Sequence, residues 1–468
     1  MVLNFGMVAG LPAEEQKQLN DLRWTWAYYQ SSNQVKKRYY EGNIPLREVN
    51  LGIALPNGFM GLEIGCSWGA KTVDVLAARS MFDGFVTESG NDSEEMQAII
   101  ERNHLIAEYN KAVREELKYG CAFAAVSGQE GDARVRFYSP QCGAAHWNAR
   151  DGRIKCGFVF EDNRRDESDE AWSPEHVNFY TDTDIWELSR DGGAWSAQRT
   201  PHDFGEPLMV ALIWDATHDK PFGQSRLKKS IRNLIDSYVR TMADATIALE
   251  FATSPQKYLL GISDEQYDAL IGQKFKQYAG SILLSTNNPD TGEKPSFGQL
   301  AQGSVEAHVQ TLRMIATQFS AATGLTVTDV GVVNDANPTS SEAILAQSQT
   351  LVAKAAQLNV ANGDSLNRIA RMALAIELGT TPDALPDEAS DVIAHFKNPA
   401  MPSVASTTDA ALKIATAREG FAKTDIFLEM IGFDQADIRR IRAQERREVG
   451  TKRLEDWLNG TGNEGNTV

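Results

Sequence analysis

Residues 221–253 read PFGQSRLKKSIRNLIDSYVRTMADATIALEFAT, and a single apolar stripe runs through them. Its members recur every three or four positions: Leu227, Ile231, Leu234, Ile235, Tyr238, Val239, Met242, Ala245 and Leu249. That interval places them on one face of an α-helix. We expect a helix from Gln224 to about Thr253, because Ser254-Pro255 cannot continue it. At ~1.5 Å per residue this helix extends roughly 45 Å, which is long for a globular protein.

A second helix of the same kind is predicted further along the chain, over residues 304–323. His308, Leu312, Ile315 and Phe319 share one of its faces. Gly324 ends it, because glycine readily adopts the left-handed conformation that follows a helix. The sequence therefore predicts two long helices joined by an insert.

The insert between the two helices, residues 255–302, is small. It has strand-like runs at Lys257–Leu260 and Ser281–Leu284 and a helical run at Asp264–Tyr278. About 50 residues form only a marginal core, so the insert cannot cover the apolar faces of both helices. We expect neighbouring subunits to cover these faces instead. The residues expected in this packing are Leu227, Ile231, Leu234, Tyr238, Met242, Leu312 and Phe319.

The segment that follows the second helix, residues 325–338, is expected to be a loop, since Gly331 and Pro338 interrupt any helical pattern. A third helix then opens at Thr339, where Glu342 completes an S/T-x-x-E capping box, and continues to about Leu378. The loop contains no Lys or Arg. Its side chains are small, apolar or acidic: Thr326, Val327, Thr328, Asp329, Val330, Val332, Val333, Asn334 and Asp335.

The first 222 residues have a different composition from the helical part. Eight of the nine tryptophans precede residue 215, and large aromatic side chains supply much of a compact core. Helices are predicted over residues 12–38 and 92–119, and short runs between Cys121 and Leu212 predict β-strands. We therefore expect an α+β fold that is mainly helical. Beyond Pro386 we expect short helices and a disordered tail from Asn459.

Composition excludes several classes of protein. The 468 residues include 46 basic and 63 acidic side chains, a net charge of −17, which argues against a protein that wraps DNA. The longest apolar run, Leu208–Trp214, is far too short to span a membrane, and no basic residue precedes the first apolar stretch as in a signal peptide. Four cysteines without a C-x-x-C pair favour neither disulfides nor zinc. We expect a cytoplasmic environment and no membrane partner.

Motifs for catalysis are weak. Residues 65–72 (GCSWGAKT) resemble a phosphate-binding loop, but only three residues separate the glycines and an Ala precedes Lys71, so an ordinary turn is expected. Ser225–Lys228 matches S-x-x-K without the partner motifs of penicillin-recognising enzymes. The seven histidines lack metal-binding spacing. We expect no catalytic residues, no cofactor and no metal.

Three short motifs occur in a fixed order along the chain. They are Tyr39-Tyr40-Glu41-Gly42, the Gly223-Gln-Ser225 that opens the first long helix, and the segment from Asn337 to Ala343 that opens the third. Together with the order of the elements over about residues 20 to 380, they resemble the portal proteins of tailed double-stranded DNA bacteriophages, of the siphophage type. The last ~90 residues show no such resemblance.

The resemblance implies a division of the chain into the parts of a portal subunit. These would be the wing (1–222), two stem helices (223–254 and 303–324), the clip (255–302), the tunnel loop (325–338), a long wing or crown helix (339–378) and a C-terminal crown (379–468).

The resemblance also implies a function without catalysis. Portal subunits form rings of about twelve copies at one capsid vertex of the virion, and DNA is packaged and later ejected through the ring without sequence specificity. Implied partners are the terminase large subunit, the major capsid and scaffold proteins, and head–tail connector or adaptor proteins, with assembly in the host cytoplasm. About twelve chains would carry a charge of roughly −200, which would repel phosphate and let DNA slide. The same charge could also serve solubility alone.

Two alternatives remain open at the level of sequence. One is a helical scaffold or adaptor protein of lower oligomeric state, which would lack a central channel. The other is an enzyme with an unrecognised polar site within residues 43–222. Native mass spectrometry would separate a ring from the first alternative, and a converging cluster of titratable groups would support the second.

Overall fold

The structure is a computed structural model of the chain. It describes residues 3–44, 64–87, 94–161, 174–253, 257–261, 296–299, 305–331, 341–386, 390–400 and 404–461, with isolated positions between 263 and 294. The chain forms two compact units. Unit 1 comprises residues 1–37, 72–227 and 338–468, and unit 2 comprises residues 38–71 and 228–337. Residues 38–71, which lie inside the predicted wing segment, thus belong to the same unit as the helix pair.

The elements are numbered here in chain order. The helices are α1 (Ala13–Glu41), α2 (Trp68–Ala77), α3 (Glu94–Asn103), α4 (Leu105–Tyr119), α5 (Lys229–Thr253), α6 (Glu306–Thr323), α7 (Ser341–Glu377), α8 (Val404–Ala417), α9 (Asp425–Ile431) and α10 (Gln435–Thr461). The strands are β1 (Val8–Ala9), β2 (Phe82–Thr87), β3 (Cys121–Gln129), β4 (Asp132–Tyr138), β5 (Gly143–Asn148), β6 (Arg153–Phe160), β7 (His176–Tyr180), β8 (Asp184–Asp191), β9 (Ala194–Pro201), β10 (Met209–Ile213), β11 (Lys257–Leu260), β12 (Ser296–Gln299) and β13 (Val392–Phe396). The α+β, mainly helical fold class is confirmed.

The largest sheet of unit 1 has six strands in the order β1-β9-β8-β7-β6-β5. It is antiparallel except for β1, which pairs in parallel with β9. Inward positions alternate along β7, where Val177 and Phe179 are buried. They join Phe158 of β6 in a core that α1 covers with Leu19 and Leu22. This sheet completes its core within one chain.

A second sheet of unit 1, in the order β10-β3-β4, lies among helices. Residues 121–126 of β3 are all buried, which is typical of a strand covered on both faces. Helices α4 and α7 both contact β3. Because α7 is a single helix that passes through Gly363, it brings residues more than 200 positions away in sequence against this sheet.

The helix predicted over residues 92–119 is wrong, because the chain forms two helices there. His104 separates α3 from α4 with a left-handed backbone, φ 51° and ψ 40°. The cause lies in the buried Asn103 side chain, whose Nδ2 donates to the carbonyls of Ile99 and Ala133 at 3.0 Å and whose Oδ1 accepts from the Val135 N–H at 3.0 Å. These bonds end α3 against β4, and the next helix starts afresh.

The turn predicted over residues 65–72 is also wrong, since α2 begins at Trp68. The first helix of the predicted pair begins at Lys229 rather than Gln224. Residues before it make other bonds: the Ser225 hydroxyl donates to the Lys118 carbonyl at 2.5 Å, and Arg226 Nε donates to the Thr72 carbonyl at 2.6 Å. The turn chemistry of this stretch is therefore satisfied by long-range partners that spacing cannot reveal.

Other predicted elements agree more closely. Helix α1 covers the predicted 12–38, α6 the predicted 304–323, and α7 most of the predicted 339–378. The C-terminal helices are confirmed, but the predicted start of a disordered tail at Asn459 is wrong, because α10 continues to Thr461. Strand β13, which pairs with β2, was not predicted. The predicted runs Asp264–Tyr278 and Ser281–Leu284, the capping box at Thr339 and most of the predicted tail lie outside the described residues.

Candidate functional site

Helices α5 and α6 pack against each other in unit 2. From α5 the side chains of Ile231, Ile235 and Val239 are buried at four-residue intervals, and α6 contributes Ile315 and Phe319. Four-residue spacing is the ridge geometry by which two helices interlock. The apolar stripe read from the sequence is therefore real, and its centre runs along Ile235 and Val239.

An aromatic stack joins these helices to the start of α2. The Trp68 ring lies 4.5 Å from the Phe319 ring at an interplanar angle of 30°, and 4.1 Å from the Tyr238 ring at 34°. Nearby, the Tyr39 hydroxyl donates to Asp236 Oδ1 at 2.5 Å, which ties the end of α1 to α5. Tyr39 and Trp68 thus tie the end of α1 and the start of α2 to the helix pair.

The seven residues predicted to pack between subunits have different degrees of exposure in the single chain. Ile231 and Phe319 are buried within unit 2, and Leu227 is buried in unit 1, before α5 begins. The other four are half-buried: Leu234, Tyr238, Met242 and Leu312. These four retain surface that a neighbouring subunit could cover.

Other apolar side chains of the helix pair are more exposed. Leu249 of α5 is 50% exposed, Met314 of α6 is 54% exposed, and Val309 of α6 is also exposed. Val309 and Met314 lie outside the apolar stripe of α6. The helical periodicity selects only the residues of the stripe, so these two were not predicted as contact residues. These side chains add apolar surface that the single chain leaves uncovered.

The loop after α6 begins as an ordered turn. Gly324 ends the helix with φ 79°, and its N–H donates to the Ser320 carbonyl at 2.8 Å. Asp329 Oδ2 accepts from the Thr326 N–H at 2.9 Å and from the Thr326 hydroxyl at 2.8 Å, and the Asp329 N–H donates back to that hydroxyl at 3.1 Å. Leu325 and Val330 are buried. Residues 326–329 therefore form an ordered turn that their own hydrogen bonds stabilise.

The predicted loop side chains accordingly have different environments. Thr328 is exposed, whereas Thr326, Val327 and Asp329 are half-buried and Val330 is buried. The remaining four lie outside the described residues: Val332, Val333, Asn334 and Asp335. Lys71 Nζ donates to the Asp329 carbonyl oxygen, so residues 325–331 are also held from outside the loop.

The insert between the two helices contains a two-stranded antiparallel ribbon. Strand β11 pairs with β12 in a register that places Tyr258 opposite Gly298 and Leu260 opposite Ser296. The Tyr258 ring lies over Gly298. Tyr258 is 43% exposed, Leu260 59% and Phe297 54%, so both strands present apolar side chains to solvent.

Unit 1 contains a buried polar network. Asn362 Nδ2 of α7 donates to Glu116 Oε2 at 2.8 Å and to the Tyr109 hydroxyl at 2.9 Å, and that hydroxyl also pairs with Ser80 Oγ at 2.7 Å. Among the described residues, Glu116 Oε1 and Asn362 Oδ1 have no hydrogen-bond partner. Removal from water raises the pKa of Glu116 to about 8, against the opposing effect of the Asn362 hydrogen bond. We therefore expect Glu116 to be protonated and uncharged at neutral pH.

Within the described ranges, no group of three or more His, Cys, Asp or Glu side chains could hold a metal ion, and no helix has the length and apolarity to cross a membrane. A cleft of about 390 Å³ in unit 1 is lined by residues that include Asp83, Glu101 and His104. Arg439 of α10 also lines this cleft, and Arg439 Nη1 donates to Gln97 Oε1 at 2.8 Å.

A family model described as "Phage portal protein, SPP1 Gp6-like" matches residues 10–451, nearly the whole chain. The chain belongs to this family of phage portal proteins. Portal proteins are structural components of the phage capsid vertex rather than enzymes. The family assignment replaces the two alternatives, an unrelated scaffold protein and an enzyme. The matched range also includes most of the C-terminal stretch, whose sequence shows none of the three motifs.

Solved structures to which the chain is similar include chains of gene transfer agent particles. The neck of a native particle computed with C12 symmetry contains a chain 13% identical to this portal protein, with a TM-score of 0.47 over 78% of this chain and 89% of that chain. A virion of a native particle gives 13% identity and a TM-score of 0.46 over 86% and 93%, respectively. The neck of an empty particle with C6 symmetry gives 14% identity and a TM-score of 0.44 over 76% and 87%. A search of curated protein sequences gave no significant match.

Proposed function

We propose that this portal protein assembles into a closed ring of about twelve copies around a channel for double-stranded DNA. The observation that carries the proposal is the apolar surface that the helix pair of unit 2 leaves uncovered, at Leu249, Val309 and Met314. Each copy in a closed ring covers the exposed surface of its neighbour, so a ring buries this surface in every subunit.

In this proposal the loop of residues 325–338 faces the channel. The turn at its start exposes Thr328, and the whole segment contains no Lys or Arg. Phosphate is held most strongly by charge-assisted hydrogen bonds from basic side chains. A loop without them supports passage of DNA in either direction, without sequence specificity, and the net charge of −17 per chain acts in the same sense.

The proposed docking site for other proteins is the insert, residues 255–302. Exposed aromatic and aliphatic side chains are enriched where proteins bind one another, and Tyr258, Leu260 and Phe297 provide them on a small ribbon. The terminase large subunit would dock there during packaging and the head–tail connector proteins afterwards. Major capsid and scaffold proteins would contact unit 1 as the particle assembles in the host cytoplasm.

The ring can be tested by introducing charge into the exposed apolar surface. Met314→Asp and Leu249→Asp alter side chains that are about half exposed in the single chain, so the subunit should still fold. Burying an unpaired charge between subunits costs several kcal/mol, and we expect native mass spectrometry to show mostly monomers in place of rings. Gln318→Asp, at an exposed polar position of the same helix, is the control.

The outcomes separate cleanly. Rings of wild type and of Gln318→Asp, with monomers of the two apolar variants, would support the proposal. If wild-type protein at micromolar concentration forms only monomers or dimers, or if both apolar variants assemble normally, the helix pair is not the ring interface.

A further inference from the structure

The segment Cys66–Lys71, considered and rejected above as a phosphate-binding loop, contacts several parts of unit 2. Gly69 lies so close to the end of α1 that a Cβ there would be 1.9 Å from the Tyr39 carbonyl oxygen. Only glycine permits this approach. The approach seats the first turn of α2, with Trp68 in the aromatic stack, beside the helix pair.

Lys71 extends from this seated turn to the loop after α6. Its ammonium group donates to the backbone carbonyl of Asp329, and the side chain is half-buried. A hydrogen bond from a charged donor is about twice as strong as a neutral one. The bond is directed to backbone, so it fixes the path of the chain at Asp329 whatever side chain stands there.

The turn that Lys71 holds has few other attachments to its surroundings in the described part of the loop. The bonds between Thr326 and Asp329, and the Gly331 N–H donating to the Thr328 carbonyl at 3.1 Å, all lie within residues 326–331. They define the shape of the turn but not its position. Its position comes from buried Leu325 and Val330, from two bonds to the end of α6, and from the Lys71 ammonium. In those two bonds Ser320 Oγ donates to the Leu325 carbonyl at 2.6 Å, and the Leu325 N–H donates to Thr323 Oγ1 at 3.3 Å.

We propose that Lys71 is a positioning residue for the channel-facing loop, and that Trp68, stacked on Phe319 and Tyr238, holds Lys71 in place. Lys71 acts through the backbone of Asp329 rather than on DNA, since its ammonium is directed to that carbonyl. The inference that this loop touches DNA rests on the proposed function above; the inference that Lys71 sets the position of the loop does not.

The first measurement is hydrogen exchange of the assembled protein. Lys71→Met keeps the length of the side chain and removes the charged donor, so exchange in peptides covering residues 326–331 should accelerate roughly tenfold or more. Exchange in α5 and α6 should stay unchanged. Lys71→Arg, which keeps a charged donor, should restore slow exchange, and Lys17→Met, at an exposed lysine of α1, is the matched control.

Two results would overturn the positioning role. One is unchanged exchange in residues 326–331 of Lys71→Met. The other is faster exchange throughout α5 and α6, which would make Lys71 a general structural residue of unit 2. As a second variant, Trp68→Ala removes the stack and should accelerate exchange in the loop and in α6 together; an unaffected loop would exclude Trp68 from the proposal.

A DNA-packaging assay then separates the two proposals. If Lys71→Met loosens the loop and slows packaging or ejection, and Lys71→Arg restores both, the positioned loop serves DNA passage. If the loop loosens while packaging keeps its normal rate, the positioning role of Lys71 stands and the proposed channel role of the loop fails.

Discussion

The six-stranded sheet of unit 1 and the two-stranded ribbon of unit 2 are both largely antiparallel, yet they treat their apolar side chains in opposite ways. In the sheet, Phe158 and Phe179 are fully buried, and Phe158 meets Phe5 edge to face at 5.8 Å. In the ribbon, Tyr258 and Phe297 are about half exposed. The sheet is completed by its own chain, whereas the ribbon offers its apolar residues to another molecule.

The sheet is therefore a surface that the chain covers itself, and the ribbon is one that another molecule would cover in the proposed assembly. Alternation of apolar and polar residues predicts a strand in both places, but it does not say which molecule covers the apolar face. Helix α1 covers the sheet with Leu19, Leu22 and Trp26, and a ribbon of two strands is not independently stable in water. The six-stranded sheet should therefore contribute to the stability of the subunit, and the ribbon to the stability of the proposed assembly.

The largest expected effect comes from removing an aromatic ring in each place. Phe158→Ala leaves a cavity in the sheet core and should lower the free energy of unfolding by about 3–5 kcal/mol. Phe297→Ala removes a ring that is mostly in solvent and should change it by less than about 1 kcal/mol. Urea denaturation of the dissociated subunit measures both. If both variants lose the same free energy of unfolding, the proposed difference between sheet and ribbon is wrong.

The next effect concerns a polar group in unit 1. The pKa of Glu116 is raised to about 8 by burial, so the folded chain retains a proton that the unfolded chain releases near its usual value of about 4.3. Stability therefore falls as pH rises between these two values and is lowest above the higher one. Glu116→Gln cannot ionise and should gain roughly 4 kcal/mol relative to wild type at neutral to alkaline pH.

Thermal unfolding from about pH 5 to pH 9 tests this expectation. The melting temperature of Glu116→Gln should stay level over the range in which that of wild type declines. Glu108→Gln of α4 is the control, since Glu108 is only half-buried and pairs with the exposed Lys111 at 2.7 Å. Parallel pH profiles of wild type and Glu116→Gln would mean that Glu116 is not neutral in the folded chain.

Periodicity and capping rules found the elements whose causes are local. The stripe of Ile231 and Val239 and the end of α6 at Gly324 were predicted because a few neighbouring residues determine them. The break at His104 was missed because its cause, Asn103 bonding to β4, lies about 30 residues away in sequence. Strand β13 was missed because its partner β2 is about 300 residues away.

The candidate loop shows the same limit. Its bounds and its lack of basic residues follow from the sequence alone. Its attachment to Lys71 does not, because an ammonium group bonded to a backbone carbonyl leaves no pattern in the residue that accepts. A side chain that recognises backbone is therefore invisible to any argument from residue types.

A smaller effect tests whether the C-terminal helices belong to the self-sufficient part of the molecule. His395 of β13 lies 3.6 Å from Glu429 of α9 and 3.9 Å from Asp83 of β2, and Lys397 lies 3.4 Å from the same Asp83. The main cause that raises the pKa of His395 is its hydrogen bond with Glu429. The charge of Asp83 raises this pKa further, and the charge of Lys397 lowers it. Folding stabilises the protonated form of His395. The contribution of His395 to the free energy of unfolding is therefore complete at acidic pH and is lost as pH rises through the raised pKa.

The expected contribution of His395 is about 1 kcal/mol or less, because the ion pairs are partly exposed. Limited proteolysis should cleave α8–α10 faster at about pH 9 than at about pH 6 in wild type. His395→Gln should be cleaved at similar rates at both values, with His218→Gln, at an exposed loop position, as the control. A pH dependence that survives in His395→Gln would assign it to another group.

The smallest expected effect is at Thr328, the exposed side chain of the ordered turn. Charge is best introduced here and not at Asp329, whose carboxylate accepts two bonds from Thr326 and shapes the turn. Thr328→Lys would place about twelve ammonium groups in a ring, each able to hold a phosphate. Packaging or ejection should slow severalfold at low salt and recover as salt screens the contacts. Thr328→Glu should leave the rate near that of wild type, because a carboxylate forms no such contact. If Thr328→Lys packages DNA at the normal rate at low salt while forming rings, the turn does not face the DNA, and the unit that assembles the ring is not the one that lines its channel.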